Sequence, residues 1–236
     1  FEIVLGEGYS GRVSVNIAKI PHMLIGGSTG SGKSVLLKLV LMQCVKKDAK
    51  VYIADFKGGV DFPPIWHTKC SLLTDEKTLH KVLVSITDEL QSRKQILRTA
   101  GVANIDGYNR NAKKKLYRIV FACDEIAEVL DKTGLSKQQK DEILKIESEL
   151  SIIARQGRAF GIHLVLATQR PDAAILNGQI RNNIDTRICG RADNVLSQII
   201  LDNTDASDKI AKSSQGRFLT NSGKIFQAYW FDENIL

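Results

Sequence analysis

The sequence predicts an α/β fold, a mainly parallel β-sheet with helices on both faces, and two observations carry that expectation. Short apolar runs of β character alternate along the chain with segments whose apolar residues recur at helical spacing. One such run, Met23-Leu-Ile25, leads into Gly27-Ser-Thr-Gly-Ser-Gly-Lys33-Ser34, and Val35-Leu-Leu-Lys-Leu-Val-Leu-Met42 follows as a helix. Gly-x-x-x-x-Gly-Lys-Ser between a strand and a helix is the spacing that wraps backbone around the phosphates of a nucleotide.

In chain order, Phe1-Glu-Ile-Val-Leu5 reads as a strand, so the sequence opens inside an element without an initiator Met and is expected to be a piece of a longer protein. Val51-Tyr-Ile-Ala54 is a strand ending at Asp55 and a Gly58-Gly59 turn. Lys77 to Leu97 is a helix, with Leu79, Val82, Leu83, Ile86, Leu90, Ile96 and Leu97 on its apolar stripe. Leu116 to Cys123 is the next strand, and a polar loop at Asp131 to Lys137 precedes a helix from about Gln138 to Arg155. Ile162-His-Leu-Val-Leu-Ala-Thr168 is a strand that stops before Pro171.

The phosphate loop has a clear division of labour. Gly27, Gly30 and Gly32 are expected to take positive φ angles, turning the N–H groups of Gly27, Ser28, Thr29, Gly30, Ser31 and Gly32 inward. Lys33 then reaches the β- and γ-phosphates of ATP, the Ser34 hydroxyl ligates Mg²⁺, and the following helix points its positive end at the anion.

With 236 residues and 43% hydrophobic content the chain is long enough for one globular domain, 1–236, with a full core. No stretch approaches the roughly 20 apolar residues of a membrane span, and the first residues lack the marks of a signal peptide. A soluble cytoplasmic portion is therefore expected, joined to a membrane only through segments outside this sequence. Cys44, Cys70, Cys123 and Cys189, like His22, His67, His80 and His163, are scattered without metal-ligand spacing, so Mg²⁺ carried with the nucleotide is the expected metal. The net charge of +7 leans toward a polyanionic partner. Its densest run, Lys113-Lys-Lys115 with Arg110 just before it, reads either as a nucleic-acid contact or as a solvated loop.

Two further constellations turn binding into hydrolysis. The strand through Ile119-Val-Phe121 delivers Asp124 and Glu125 at its C-terminal end, the edge at which open α/β sheets bind ligands. Asp124 is suited to the Mg²⁺ shell and Glu125 to polarising the attacking water. Ala167-Thr-Gln169-Arg-Pro171 tips the next strand with an amide, and Gln169 either senses the γ-phosphate and positions water or merely caps the strand.

These residues together resemble the motor domain of FtsK/SpoIIIE-type DNA translocases. The resemblance rests on Ile20-Pro-His22, Gly101-Val-x-Asn104-Ile-x-Gly-Tyr-Asn109, Asp124-Glu125, Thr186-Arg-Ile188 and, above all, Gly157-Arg-Ala-x-Gly161-Ile-His-Leu-x-Leu-Ala-Thr-Gln-Arg-Pro171. It runs from about Gly6 to Leu219 and implies a RecA-like core of the catalytic-glutamate type, usually hexameric rings, and ATP hydrolysis coupled to DNA movement. It also implies an arginine supplied in trans, Arg187 by its place in Thr-Arg-Ile, with Arg158 and Arg191 as rivals; a structural salt bridge is the alternative for each.

Asp55-Phe-Lys-Gly-Gly59 stands where the division translocases carry Asp-Pro-Lys, and the sequence ends near Trp230 without their winged-helix module. In this it is similar to the FtsK-like coupling proteins of conjugative elements and also to the ATPases of type VII secretion, whose cargo is polypeptide. The expected function is an ATP-driven DNA translocase motor of conjugative transfer or chromosome segregation. The alternatives are a type VII secretion ATPase and a nucleotide-binding scaffold without turnover. Asn109 to Lys115 and Ser213-Ser-Gln-Gly-Arg217 are the segments expected to face the polymer, each with a plain solvated loop as its alternative.

Overall fold

The computed structural model describes residues 1–170, 176 and 178–236; Pro171, the last residue of the distinctive stretch, lies outside the described residues. The elements are β1 (Glu2–Gly8), β2 (Gly11–Asn16), β3 (Met23–Gly26), α1 (Lys33–Val45), β4 (Lys50–Ala54), α2 (Pro64–Lys69), β5 (Ser71–Leu73), α3 (Glu76–Thr99), α4 (Ile105–Asn111) and β6 (Ile119–Cys123). They continue with α5 (Ile126–Leu130), α6 (Lys137–Phe160), β7 (Ile162–Thr168), α7 (Gly178–Arg181), β8 (Thr186–Cys189), α8 (Asn194–Leu201), α9 (Asp205–Lys209), β9 (Arg217–Thr220) and β10 (Ile225–Ala228).

Among the described residues ten strands form one sheet in the order β2-β1-β10-β9-β8-β3-β7-β6-β4-β5. From β8 to β5 every pair is parallel. From β8 to β2 every pair is antiparallel. The mostly parallel sheet matches the expectation, and the antiparallel wing adds to it. The β1–β2 hairpin is local, but β1 reaches β10 across most of the chain, with Gly6 opposite Ala228. A Cβ on Gly6 would lie 2.0 Å from the Gln227 carbonyl oxygen, so the pairing requires glycine there.

Alternate side chains of the parallel strands separate into two cores, as a pleated sheet dictates. Leu24, Tyr52, Ile119, Phe121 and Leu164 pack with α3, α5, α6 and α8. Met23, Ile25, Val51, Ile53, Val120 and Val165 pack with α1, with Trp66 of α2, and with Ile3, Leu5 and Val13 of the hairpin. Each fully buried aliphatic contributes roughly 1.5–3 kcal/mol, and both faces of the central strands are covered.

Two boundaries differ from expectation for identifiable reasons. The strand expected from Leu116 begins at Ile119, because the Asn109 side chain brackets Leu116, accepting from its N–H at 2.9 Å and donating to its carbonyl at 2.8 Å. The helix expected to end near Arg155 runs to Phe160, opened by a Ser136/Gln139 capping box and closed by Gly161 at φ 68°.

Much of the stretch from residue 157 to 163 serves packing. A Cβ on Gly157 would sit 2.4 Å from the Ile162 carbonyl oxygen. His22 Nδ1 accepts from the Leu164 N–H at 3.0 Å, and His163 bonds through Nδ1 to the Pro21 carbonyl at 3.0 Å and through Nε2 to Arg118 at 3.2 Å. Burial pushes His22 down to about 4; burial, with Arg118 beside it, pushes His163 down to about 3. These neutral imidazoles fasten the strand that enters the phosphate loop to β7.

Cys44, Cys123 and Cys189 are buried and Cys70 is half-buried, all as free thiols. Among the described residues no group of His, Cys, Asp and Glu is arranged to hold a metal by itself, and no helix is long and apolar enough to cross a membrane.

Candidate functional site

β3, β7 and β6 are neighbours, with Gly26 in register with Thr168 and Leu166 with Cys123. Their C-terminal ends therefore bring three separate segments to one edge: the phosphate loop, the Gln169 tip and the Asp124-Glu125 pair. β4 lies beside β6, with Ala54 opposite Cys123, and adds Asp55 and Lys57 to that edge.

The loop after β3 is held by backbone. Ser28 N–H donates to the Arg191 carbonyl at 2.8 Å, and Gly216 N–H donates to the Ser31 carbonyl at 2.8 Å. Arg191 Nη2 donates to the Thr29 carbonyl at 2.5 Å. Gly30 and Gly32 have φ of 74° and 95°, as expected. Gly27 is not in the left-handed region; it is glycine because a Cβ would lie 2.4 Å from Ser31 Oγ. Gly32 caps α1 without a side-chain hydrogen bond, so no side chain claims the first-turn amides.

Asp124 is the hub. Lys33 Nζ donates to its carbonyl oxygen at 2.5 Å and to Oδ1 at 3.1 Å, and Ser34 Oγ donates to Oδ1 at 2.9 Å. Lys57 Nζ donates to Oδ2 at 3.0 Å. Burial alone would push the Asp124 carboxyl up, but Lys33 and Lys57 outweigh it and hold it below the usual range. Burial likewise opposes the charge on Lys57, yet Asp124, with Asp61 and Glu128 behind it, raises its ammonium above the usual value.

Glu125 is buried beside this hub at 3% exposure, with both carboxylate oxygens engaged. Oε1 accepts from Thr168 Oγ1 at 2.7 Å and from Ala127 N–H at 3.3 Å, and Oε2 accepts from Gln169 N–H at 2.9 Å. Gln169 Oε1 in turn accepts from Thr29 Oγ1 at 3.0 Å. A cavity of about 290 Å³ opens over these groups, lined by Ser28 to Val35 with Lys57, Gln169 and Gln215. A larger groove of about 790 Å³ along α6 and α7 contains none of them, so chemistry rather than size marks the site.

Lys33, Ser34, Asp124, Glu125 and Gln169 thus meet as the sequence predicts. The residues fit a magnesium–nucleotide: Ser31 Oγ is buried without a hydrogen-bond partner among the described residues, next to unclaimed amides. Ser34 and Asp124 form the oxygen pair suited to Mg²⁺.

Arg187 does not join them. Its guanidinium is used within the chain, donating to Asp202 Oδ2 at 2.5 Å, to the Ile184 carbonyl at 3.0 Å and to the Arg181 carbonyl at 3.0 Å. Arg191 is bound to Thr29 and Lys212 carbonyls, whereas Arg158 is exposed and has no side-chain partner among the described residues. Ser213 to Arg217, expected to face a polymer, instead lies against the phosphate loop through Gly216, with Gln215 in the cavity wall. Lys113, Lys114 and Lys115 are exposed at the opposite edge, just before β6 begins.

Sequence reasoning missed Lys57 and Thr168. Both stood inside quoted segments, Asp55-Phe-Lys and Ala-Thr-Gln, but only β4–β6 and β6–β7 adjacency reveals their partners.

Comparison with known proteins places this geometry in a lineage. The chain is 32% identical over 273 residues to the DNA translocase FtsK of Haemophilus influenzae, covering 99% of this chain and 50% of that protein. It is 32% identical over 219 residues to the Chlamydia pneumoniae DNA translocase FtsK, covering 87% of this chain and 27% of that protein. The chain thus spans between about a quarter and a half of these curated relatives. Among solved structures, the pCW3 conjugation coupling protein TcpA, in a monomer form with ATPγS, superposes with a TM-score of 0.93 at 40% identity, covering 99% of this chain and 67% of that one. The cytoplasmic domain of the Thermomonospora curvata type VII secretion ATPase EccC shares the fold, with a TM-score of 0.78 at 23% identity over 97% of this chain and 28% of that one. The profile of the FtsK/SpoIIIE family matches residues 1–173, and the chain belongs to that family.

Proposed function

We propose that this chain is a single-domain ATPase motor that moves DNA through an oligomeric ring, as the cytoplasmic portion of a longer transfer or segregation protein. The observation that carries the reading is the convergence of Lys33 and Ser34 on Asp124, with Glu125 held between Thr168 and Gln169. In this mechanism Lys33 and the first-turn amides of α1 bind the phosphates of ATP. Ser34 and Asp124 would hold Mg²⁺, which would supply positive charge against that building on the transferred phosphoryl group. Glu125, its orientation fixed by Thr168 and the Gln169 N–H, orients the attacking water and takes its proton. Gln169 links the γ-phosphate region to Thr29.

DNA is preferred over polypeptide because relatives at 32–40% identity are named as DNA translocases and a conjugation coupling protein. The secretion ATPase, at 23% identity, supports the fold alone. A hexameric ring supplies an arginine in trans, and Arg158, exposed and unpartnered among the described residues, is freer for that role than Arg187. The run Lys113 to Lys115 contacts the phosphate backbone without reading bases.

The test is ATP turnover by the purified protein with and without linear double-stranded DNA. DNA raises turnover, Lys33→Ala abolishes it, and replacing Lys113, Lys114 and Lys115 by Ala removes the stimulation while basal turnover persists. Turnover indifferent to DNA but raised by an export-substrate peptide would replace the DNA reading with the secretion one.

A further inference from the structure

The loop after β4, Asp55-Phe-Lys-Gly-Gly-Val-Asp61, enters the site without a role in the chemistry described above. Its start is fixed: Asp55 N–H donates to the Leu73 carbonyl at 3.0 Å, and Lys57 N–H donates to Asp55 Oδ1 at 3.0 Å. The middle is free. Gly58 and Gly59 have φ of 79° and 77° with nothing within 4 Å of either Cβ position, and Val60 is 83% exposed. A side chain anchored at one end of a glycine hinge is one that can move.

Lys57 reaches 3.0 Å from Asp124 Oδ2 and 3.6 Å from Asp61 Oδ2, and it lines the same cavity as Ser34 and Gln169. It therefore shares one carboxylate with Lys33 and Ser34, the two residues assigned above to phosphate and Mg²⁺. An ammonium on Asp124 Oδ2 and a divalent cation held by the same carboxylate would repel each other. The ammonium then needs another anion, and those around it are Asp61, Glu128 and, with a nucleotide in the cavity it lines, the terminal phosphate. Asp55 Oδ2, buried and without a hydrogen-bond partner among the described residues, places a further acceptor on the same loop.

Resting on the ATPase reading above, we infer that Lys57 is a positioning residue that exchanges Asp124 for the terminal phosphate of ATP, so that the Asp55–Asp61 loop takes one position with ATP and another with ADP. Lys57 senses the γ-phosphate within its own subunit, on the side of the site opposite Gln169's contact with Thr29. The exposed Val60 end carries that difference to the surface.

The experiment is calorimetric binding of Mg·ATPγS and Mg·ADP to wild type, Lys57→Ala and Lys57→Arg. A charge-assisted hydrogen bond to phosphate predicts that Lys57→Ala weakens ATPγS by on the order of ten- to a hundredfold, leaves ADP unchanged, and is partly rescued by Lys57→Arg. Equal changes for both nucleotides, or none, would overturn the inference while leaving the ATPase reading standing. A wild-type protein that binds neither nucleotide overturns that reading, and this inference with it. Thermal melting of each variant confirms that the loop substitution leaves the fold intact, since Lys57 lies one-third exposed outside the core.

Discussion

Thr29 donates to the side-chain oxygen of Gln169 at 3.0 Å, so the tip of β7 is tied to the phosphate loop by one hydroxyl. Gln169 also gives its N–H to Glu125 at 2.9 Å, and the same residue touches both the Gly27–Ser34 loop and the Glu125 carboxylate.

Gln169→Ala is therefore expected to lower kcat with little change in nucleotide affinity, by roughly 10²-fold, the low end for losing a positioning group. Steady-state turnover alongside nucleotide titration separates the two. Unchanged kcat and Kd would return Gln169 to a mere strand cap.

Asp124 and Glu125 are adjacent but face different partners, and their amide variants should fail differently. Glu125→Gln keeps the shape and retains Mg·ATP while turnover falls by 10² or more, on the order expected for a lost general base. Asp124→Asn removes the charge shared by Lys33 and Lys57 and is expected to raise the Mg²⁺ concentration needed for binding. Equal binding defects in both would refute the division of roles.

Arg187→Ala should act on stability. The Arg187–Asp202 pair is partly exposed, which weakens it, but the substitution also strips the Ile184 carbonyl of the guanidinium donor and leaves the Arg181 carbonyl with the Ile184 N–H alone. A loss of about 1–2 kcal/mol is expected, read by urea unfolding. Mixing this variant with Lys33→Ala subunits should restore no turnover; recovery would show that Arg187 leaves Asp202 and works in trans.

Stability should fall as the medium is acidified from pH 6.5 toward 4. His22 has its folded pKa lowered to about 4 from an ordinary 6.5, so in that window the unfolded chain binds a proton that the native chain refuses. His163, lowered to about 3, acts in the same direction and extends the window downward. Asp124, held below its usual range, adds its own loss only below the ordinary carboxyl pKa near 3.8. Across its full range the loss is roughly 3 kcal/mol for His22 and roughly 5 kcal/mol for His163. Urea midpoints that stay flat between pH 6.5 and 4.5 would contradict the burial of neutral imidazoles.

What could be read in the sequence was local. Met23 to Met42 encodes strand, loop and helix within one continuous segment, and Asp124, Glu125 and Gln169 sit directly at the ends of apolar runs. Their meeting followed from a general property of parallel sheets, whose C-terminal ends lie along one edge. Distant pairing was not legible. Nothing around Arg187 announces that Asp202 will bind it, and nothing in Ser213 to Arg217 shows that Gly216 will lie under the phosphate loop. Gly27 illustrates the limit at a single residue: it has no positive φ, and a Cβ there would instead crowd Ser31 Oγ at 2.4 Å.

The bonds from Arg191 and Gly216 to the phosphate loop also have a consequence for biosynthesis. Ser28 and Ser31 leave the ribosome ahead of the backbone groups that hold them, which follow more than 150 residues later. The loop therefore cannot mature while the chain is growing through α3 and α6. A nascent chain stopped after β7 would carry the complete Gly27–Ser34 motif without its clamp. Because long-range closure is slow to reach, the ability to grip a nucleotide is expected to come late in the folding of residues 1–236. Ribosome-arrested intermediates of increasing length, probed with a photoreactive ATP, should label only once β9 has left the exit tunnel.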